Sequence, residues 1–153
     1  MGDVTVLASG IAQKRTDVHL GHDRQYNDTA EISGVMGEMA FALRYGLKFD
    51  DSISARGDAG YDFVMPLAYT VDIKTAAKPT YLICYVGKVT ADIYVLAKYS
   101  PAISFIGWEW GKKLAEQPTR DFGRGVQSHY ILAEKLRPMS ELDARAMIIK
   151  PIA

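Results

Sequence analysis

The sequence predicts a mixed α/β (α+β) fold, with a central mixed sheet of four to five strands flanked by helices. Apolar residues recur every three or four positions at Ile32, Val35, Met36, Met39, Leu43 and Leu47, which is the period of one helix face. Beyond residue 60 the period drops to two, in short segments rich in β-branched and aromatic side chains. One helix, then a run of strands, then short mixed elements suits helices laid on a sheet. The 153 residues are 48% hydrophobic and 24% charged, which excludes a disordered or fibrous chain. A chain of this length buries a core without a disulfide or zinc staple.

Each element has a local reason. Residues 1–29 read as a polar N-terminal arm, densest in polar side chains over 12–29. Asp28-Thr29-Ala30-Glu31 resembles a capping box, in which a carboxylate and a Glu three residues on satisfy free backbone donors. The helix is expected over 30–46, stopping near Gly46. Strands are expected at 61–67, 69–75, 81–86, 92–98 and 102–106, bounded by Gly, Pro or Lys. A short helix over 109–116 ends before Pro118, a last strand covers 128–132, and residues 140–143 open a final helical turn. No repeat, low-complexity stretch or linker divides the chain, so 1–153 reads as one domain with its core at 30–142.

Several function classes drop out. No window holds the 18 or so apolar residues of a membrane span, and Met1-Gly2-Asp3 does not open a signal peptide. The lone Cys84 forms no intramolecular disulfide and reads as a small buried hydrophobe, so a cytoplasmic location is expected. There is no Ser-His-Asp order, Gly-rich phosphate loop or Cys-x-x-Cys, and His19, His22 and His129 are too scattered for a zinc triad. Net charge is zero. It divides into −3 over residues 1–109 and +3 over 110–153, which suits an acidic metal site with a basic flank. Lys112, Lys113, Arg120 and Arg124 are therefore the candidate phosphate contacts. Among the aromatics, Tyr81, Tyr85, Tyr94, Tyr99, Trp108 and Trp110 could stack on bases or fill the core.

The chemistry centres on three acids and a lysine. On a strand over Tyr69-Thr70-Val71-Asp72-Ile73-Lys74-Thr75, Asp72 and Lys74 share one face with Cα atoms about 6.6 Å apart. Taken alone, that face equally suits solvent. Asp62 precedes it by ten residues. A hairpin centred near residue 67 sets Asp62 opposite Asp72, and two opposed carboxylates repel unless a cation lies between them. A register shift of one would turn one of them to the other face. Asp58 reads as turn chemistry. Glu38 has Gly34, Val35, Phe41 and Ala42 as helical neighbours, an unusual setting for a solvent-facing carboxylate. A helix meeting the sheet at Gly34 and Ala42 would deliver it to the aspartates. Convergence of Glu38, Asp62 and Asp72, with Lys74 at the edge, is the expectation. Relieving the repulsion with Asp72→Asn should then raise the melting temperature.

Glu38 on a helix, Gly60-Tyr61-Asp62, and Val71-Asp72-Ile73-Lys74 on a strand together resemble the signature of the PD-(D/E)XK (restriction-endonuclease-like) nucleases. Tyr61 replaces the proline that names the motif. Ala91–Ala97, Gly107-Trp108 and Leu136–Leu142 are similar to segments of small phage and prophage members. The resemblance, over residues 30–142, implies a restriction-endonuclease-like sheet and Mg²⁺- or Mn²⁺-dependent hydrolysis of DNA. It implies one or two metal ions held by Asp62, Asp72 and the Ile73 carbonyl, with Glu38 bound directly or through water. Lys74 would position the attacking water or neutralise charge. A homodimer is left open. Two rivals stand beside it: a silent nucleic-acid-binding or assembly subunit of the same fold, and a small-molecule metal hydrolase with an enclosed pocket.

Overall fold

The structure, a computed structural model, describes residues 28–49 and 60–147, with only the backbone of 28–31 and 147. The polar arm with His19 and His22, the side chains of the capping box, and the loop carrying Asp50, Asp51 and Asp58 lie outside the described residues. Helix α1 spans Asp28–Tyr45. Strand β1 (Phe63–Met65) turns back through a 3₁₀ turn at Pro66–Ala68 into β2 (Tyr69–Ala76). Then come β3 (Tyr81–Tyr85), β4 (Ile93–Lys98), β5 (Ser104–Trp110) and a short helix α2 (Gly111–Ala115). The described residues end with β6 (Thr119–Asp121), β7 (Gln127–Leu132) and helix α3 (Met139–Met147).

The mixed α+β class predicted from the sequence is the class observed, but the strands divide between two sheets. The first is four-stranded and mixed, in the order β1-β2-β4-β5, with β2 and β4 parallel. The second is antiparallel, in the order β3-β7-β6. Strand β1 is shorter than the predicted 61–67, because Pro66 has no N–H for a ladder and the reversal starts there. The strand expected at 102–106 instead runs on to Trp110, because Glu109 and Trp110 stay paired with Tyr94 and Ile93. The helix predicted over 109–116 shrinks accordingly. Strand β6 has no apolar alternation and owes its existence to pairing with β7.

Three layers result. Helices α1 and α3 cover one face of the four-stranded sheet, burying Phe41, Ala42, Val71, Ile73, Val95, Trp108 and Leu142 between them. The opposite face presents Tyr94 and Leu96, which pack with Leu82, Cys84 and Ile131 of the second sheet and Leu114 of α2. Cys84 is the buried hydrophobe expected from sequence, 6% exposed. The two outer helices are tied together: the Arg44 guanidinium donates to both oxygens of Asp143 (3.0 and 2.7 Å), and the Tyr45 hydroxyl donates to the same carboxylate (2.7 Å). Burial first, then that hydrogen bond, raises the Tyr45 pKa. No helix among the described residues is long and apolar enough to cross a membrane.

Helix α1 meets β2 at Gly37. A Cβ there would run into the Thr75 hydroxyl, whereas one at Gly34 would meet nothing within 4 Å. The close approach is therefore at Gly37, not at Gly34 as the helix pattern suggested; Ala42 is buried in the core beneath the helix. Gly37→Ala is expected to destabilise the protein by about 1–3 kcal/mol through overpacking, although alanine is the better helix former. Adding Thr75→Ala should recover part of the loss, since it removes the clashing atoms and a buried hydroxyl that has no hydrogen-bond partner among the described residues. Urea melts of the two single variants and the double variant measure this coupling.

Candidate active site

The hairpin between β1 and β2 places the aspartates. Its register pairs Phe63 with Val71 and Met65 with Tyr69, so the reversal is centred on Leu67. Leu67 and Ala68 accommodate it with left-handed backbone (φ 69° and 64°). The ladder stops one residue before Asp62 would face Asp72. The Asp62 N–H turns to the Val71 carbonyl (2.8 Å), and the Ile73 N–H donates to Asp62 Oδ2 (2.7 Å). The Asp62 side chain thus completes the sheet edge where β1 runs out, grasping β2 on both sides of Asp72.

Burial fixes its electrostatics. The Asp62 carboxyl is pushed up to about 8, first by burial, then by the charges of Glu38 and Asp72; the Ile73 amide and Lys74 pull the other way. Glu38 is itself buried at 8% exposure, carried to the sheet edge by the Gly37 contact one residue before it. Asp72 is held by Lys74, whose Nζ lies 2.8 Å from Asp72 Oδ1. Burial opposes the Lys74 charge, but the charge and hydrogen bond of Asp72 more than offset it, and the ammonium pKa is raised. Lys74 also stands 5.9 Å above the ring of Tyr94, whose hydroxyl is fixed by the Thr90 and Ala91 amides. The structure thus brings Glu38, Asp62, Asp72 and Lys74 into one neighbourhood. The carboxylate repulsion converges on Asp62, while Asp72 neutralises a lysine. Asp72→Asn would therefore strip Lys74 of its partner, and the gain in melting temperature expected there belongs to Asp62.

Among the described residues no group of three or more His, Cys, Asp or Glu side chains is placed to hold a metal ion, so the expected three-acid convergence is not reached in this arrangement. The carboxylates that crowd Asp62 are oxygen donors, the ligand type that hard divalent cations prefer. The cluster is anionic and oxygen-only, and it is crowded enough that Asp62 holds a proton near neutrality, which a cation would replace.

Next to the cluster, a groove of about 550 Å³ opens between the Ile73–Thr75 stretch of β2 and the second sheet. Lys74, Lys88 and Arg124 line it, together with Tyr85, Phe122 and Val126. Arg120, one of the four predicted phosphate contacts, stacks on Phe122 with its Cζ 4.4 Å from the ring centroid. Arg124 is in the groove itself. Lys112 and Lys113 are not; they line a separate hollow of about 430 Å³ with Tyr69 and Trp110, at the far end of β2 from Thr75. A charge count along the chain could not separate the two pairs. Sequence reasoning missed Lys88 and Phe122. The available signal for Phe122 was its place between two arginines in a glycine-flanked loop. His129 is occupied elsewhere: the Gln117 carbonyl, 2.8 Å from its Nδ1, can only accept, so Nδ1 carries the proton. Of the aromatics considered for base stacking, Tyr94 and Trp108 are fully buried. Comparisons with protein-family models, curated proteins and solved structures found no match to this chain.

The division of the four cations gives a testable contrast. If the sequence expectation of a DNA partner holds, neutralising Arg120 and Arg124 together should weaken binding about equally for unrelated sequences, since phosphates carry no base information. It should also flatten the plot of log affinity against log salt by roughly 0.9 per lost contact on duplex, or about 0.7 on single strands. The Lys112/Lys113 pair should leave the slope unchanged. Equal slopes for both double variants would remove Arg120 and Arg124 from the interface.

Proposed function

We propose that this chain is a metal-dependent deoxyribonuclease of the PD-(D/E)XK type, hydrolysing phosphodiester bonds in DNA. The observation that carries this reading is the burial of Asp62 against Glu38 and Asp72, with Lys74 at the edge of the trio. Crowded acids of this kind cost stability, and a cation site gives that cost a purpose. Asp62 and Asp72 would hold the ion, with Glu38 and the Ile73 carbonyl completing the set. A bound Mg²⁺ or Mn²⁺ supplies Lewis-acid stabilisation of the phosphate and lowers the pKa of the attacking water. With an ion bound, Asp62 would be ionised, its proton passing to solvent. Lys74, beside Asp72, would set a compact ammonium near the charge that develops on the phosphate. Lys88 and Arg124 hold the flanking backbone in the groove.

The deciding experiment incubates the protein with single-stranded, duplex and branched DNA, with Mg²⁺, with Mn²⁺ and with a chelator. The expected result is cleavage that requires the metal. Wild-type protein that cuts none of the three with either ion overturns the proposal and leaves the silent binding subunit in its place.

A further inference from the structure

We propose that the groove beside Lys74 is a seat for an unpaired nucleic-acid strand, with base faces against Phe122 and Tyr85 and phosphates beside Lys74, Lys88 and Arg124. The inference deepens the nuclease reading by naming the substrate form, and rests on it for what happens at the carboxylates. The reason lies in the mixture of groups. Duplex DNA offers a protein its phosphates and the edges of its bases, while the base faces are covered by stacking. An unpaired nucleotide offers a π-face and a phosphate together. A lining of three cations with aromatic rings and aliphatic Ile83 and Val126 is complementary to the second and wasteful for the first. Its volume of about 550 Å³ also lies in the range of small-ligand clefts, the scale of a few nucleotides and not of a double helix.

The cation at the rim is held in place. Asp121 Oδ1 accepts the N–H groups of Gly123, Arg124 and Gly125 (2.8, 2.9 and 3.2 Å), which closes the β6–β7 loop on itself. Gly123 and Gly125 permit this through positive φ (94° and 74°). From that loop Arg124 Nη1 donates to the Tyr85 hydroxyl at 3.1 Å, so the guanidinium and the ring form one preset edge of the groove. Phe122 packs against Tyr81 in a tilted pair and against Tyr130 edge-on, with centroids 5.4 and 5.6 Å away, and Arg120 covers one of its faces. A rigid ring loses little freedom when a base stacks on it.

The test uses fluorescence anisotropy with labelled oligonucleotides of one sequence, as single-stranded DNA, single-stranded RNA and duplex DNA, all in chelator. Without metal the readout is binding alone, so a failure of cleavage and a failure of this inference stay distinct. The expected result is tighter binding of a single strand than of the duplex, with the DNA and RNA arms identifying the sugar. Phe122→Leu, which keeps apolar bulk but loses the ring, should weaken single-strand binding roughly tenfold and spare the duplex. Phe122→Tyr should restore it. Duplex binding as tight as or tighter than either single strand overturns the proposal, as does Phe122→Leu binding single strands as wild type does.

Discussion

Replacing Asp72 by asparagine, or Lys74 by alanine, is expected to lower the proposed metal-dependent DNA cleavage by roughly 10²–10³-fold and to leave the protein folded. Each change removes a charge from the reacting centre, and neither side chain fills the core. Asp72 and Lys74 point away from the α1 face, where Val71 and Ile73 do the packing. Because the two are paired at 2.8 Å, neither loss is expected to stabilise the fold. Lys74→Arg should recover little, since a planar guanidinium cannot occupy the place of a compact ammonium. Single-turnover cleavage assays beside circular dichroism separate lost chemistry from lost structure. Undiminished rates in folded Asp72→Asn protein would move the catalytic centre elsewhere.

The second large effect is on stability and comes from Asp62. In the unfolded chain its carboxyl titrates in the ordinary range near pH 4. In the folded protein it keeps its proton to about pH 8. Between those values the folded state binds more protons than the unfolded state, so rising pH favours unfolding. The metal-free protein should therefore lose melting temperature steadily from about pH 4 to about pH 8. Added Mg²⁺ should lift the alkaline arm most, because the ion takes the place of the proton. Asp62→Asn should flatten the profile and raise the melting temperature at pH 8, since the amide oxygen can still accept from Ile73 N–H and carries no charge. Thermal melts across that pH range, with Mg²⁺ and with chelator, measure all three. A flat wild-type profile would show that Asp62 is ionised throughout.

The part of the site legible in the sequence is the part that local geometry determines. Alternation along β2 separates Val71 and Ile73 from Asp72 and Lys74, and a turn centred on residue 67 is enough to bring Asp62 alongside. The neighbours of Glu38 marked it as a carboxylate on a packed face. What could not be read is what requires the third dimension. Gly34 and Gly37 look alike on a helical wheel, and only the position of Thr75 distinguishes them. The split into two sheets, which opens the groove, depends on β3 leaving its neighbours in the chain to pair with β7. Lys88 and Phe122 reach the same groove from loops more than thirty residues apart, with no periodicity to connect them. The charge excess near the end of the chain was real, but counting gave Lys112 and Lys113 the same weight as Arg120 and Arg124.

The clamp between Arg44 and Asp143 bears on the order in which the site comes together. The two aspartates are joined by a tight reversal, and closing so short a loop costs little entropy. Helix α1 is fastened on its outer side by a contact that spans 99 residues. Contacts of that span are the costly ones to close, and they reward the chain only after most of it is in place. The acid pair on the hairpin is thus the most local part of the site, while Glu38 comes to it on a helix that packs on β2 across a longer stretch of chain. Burial in the assembled molecule, then the charge of Glu38 on α1, then that of Asp72 raise the Asp62 pKa, so the shift depends on the helix being in place. The proton Asp62 holds near neutrality marks the finished molecule.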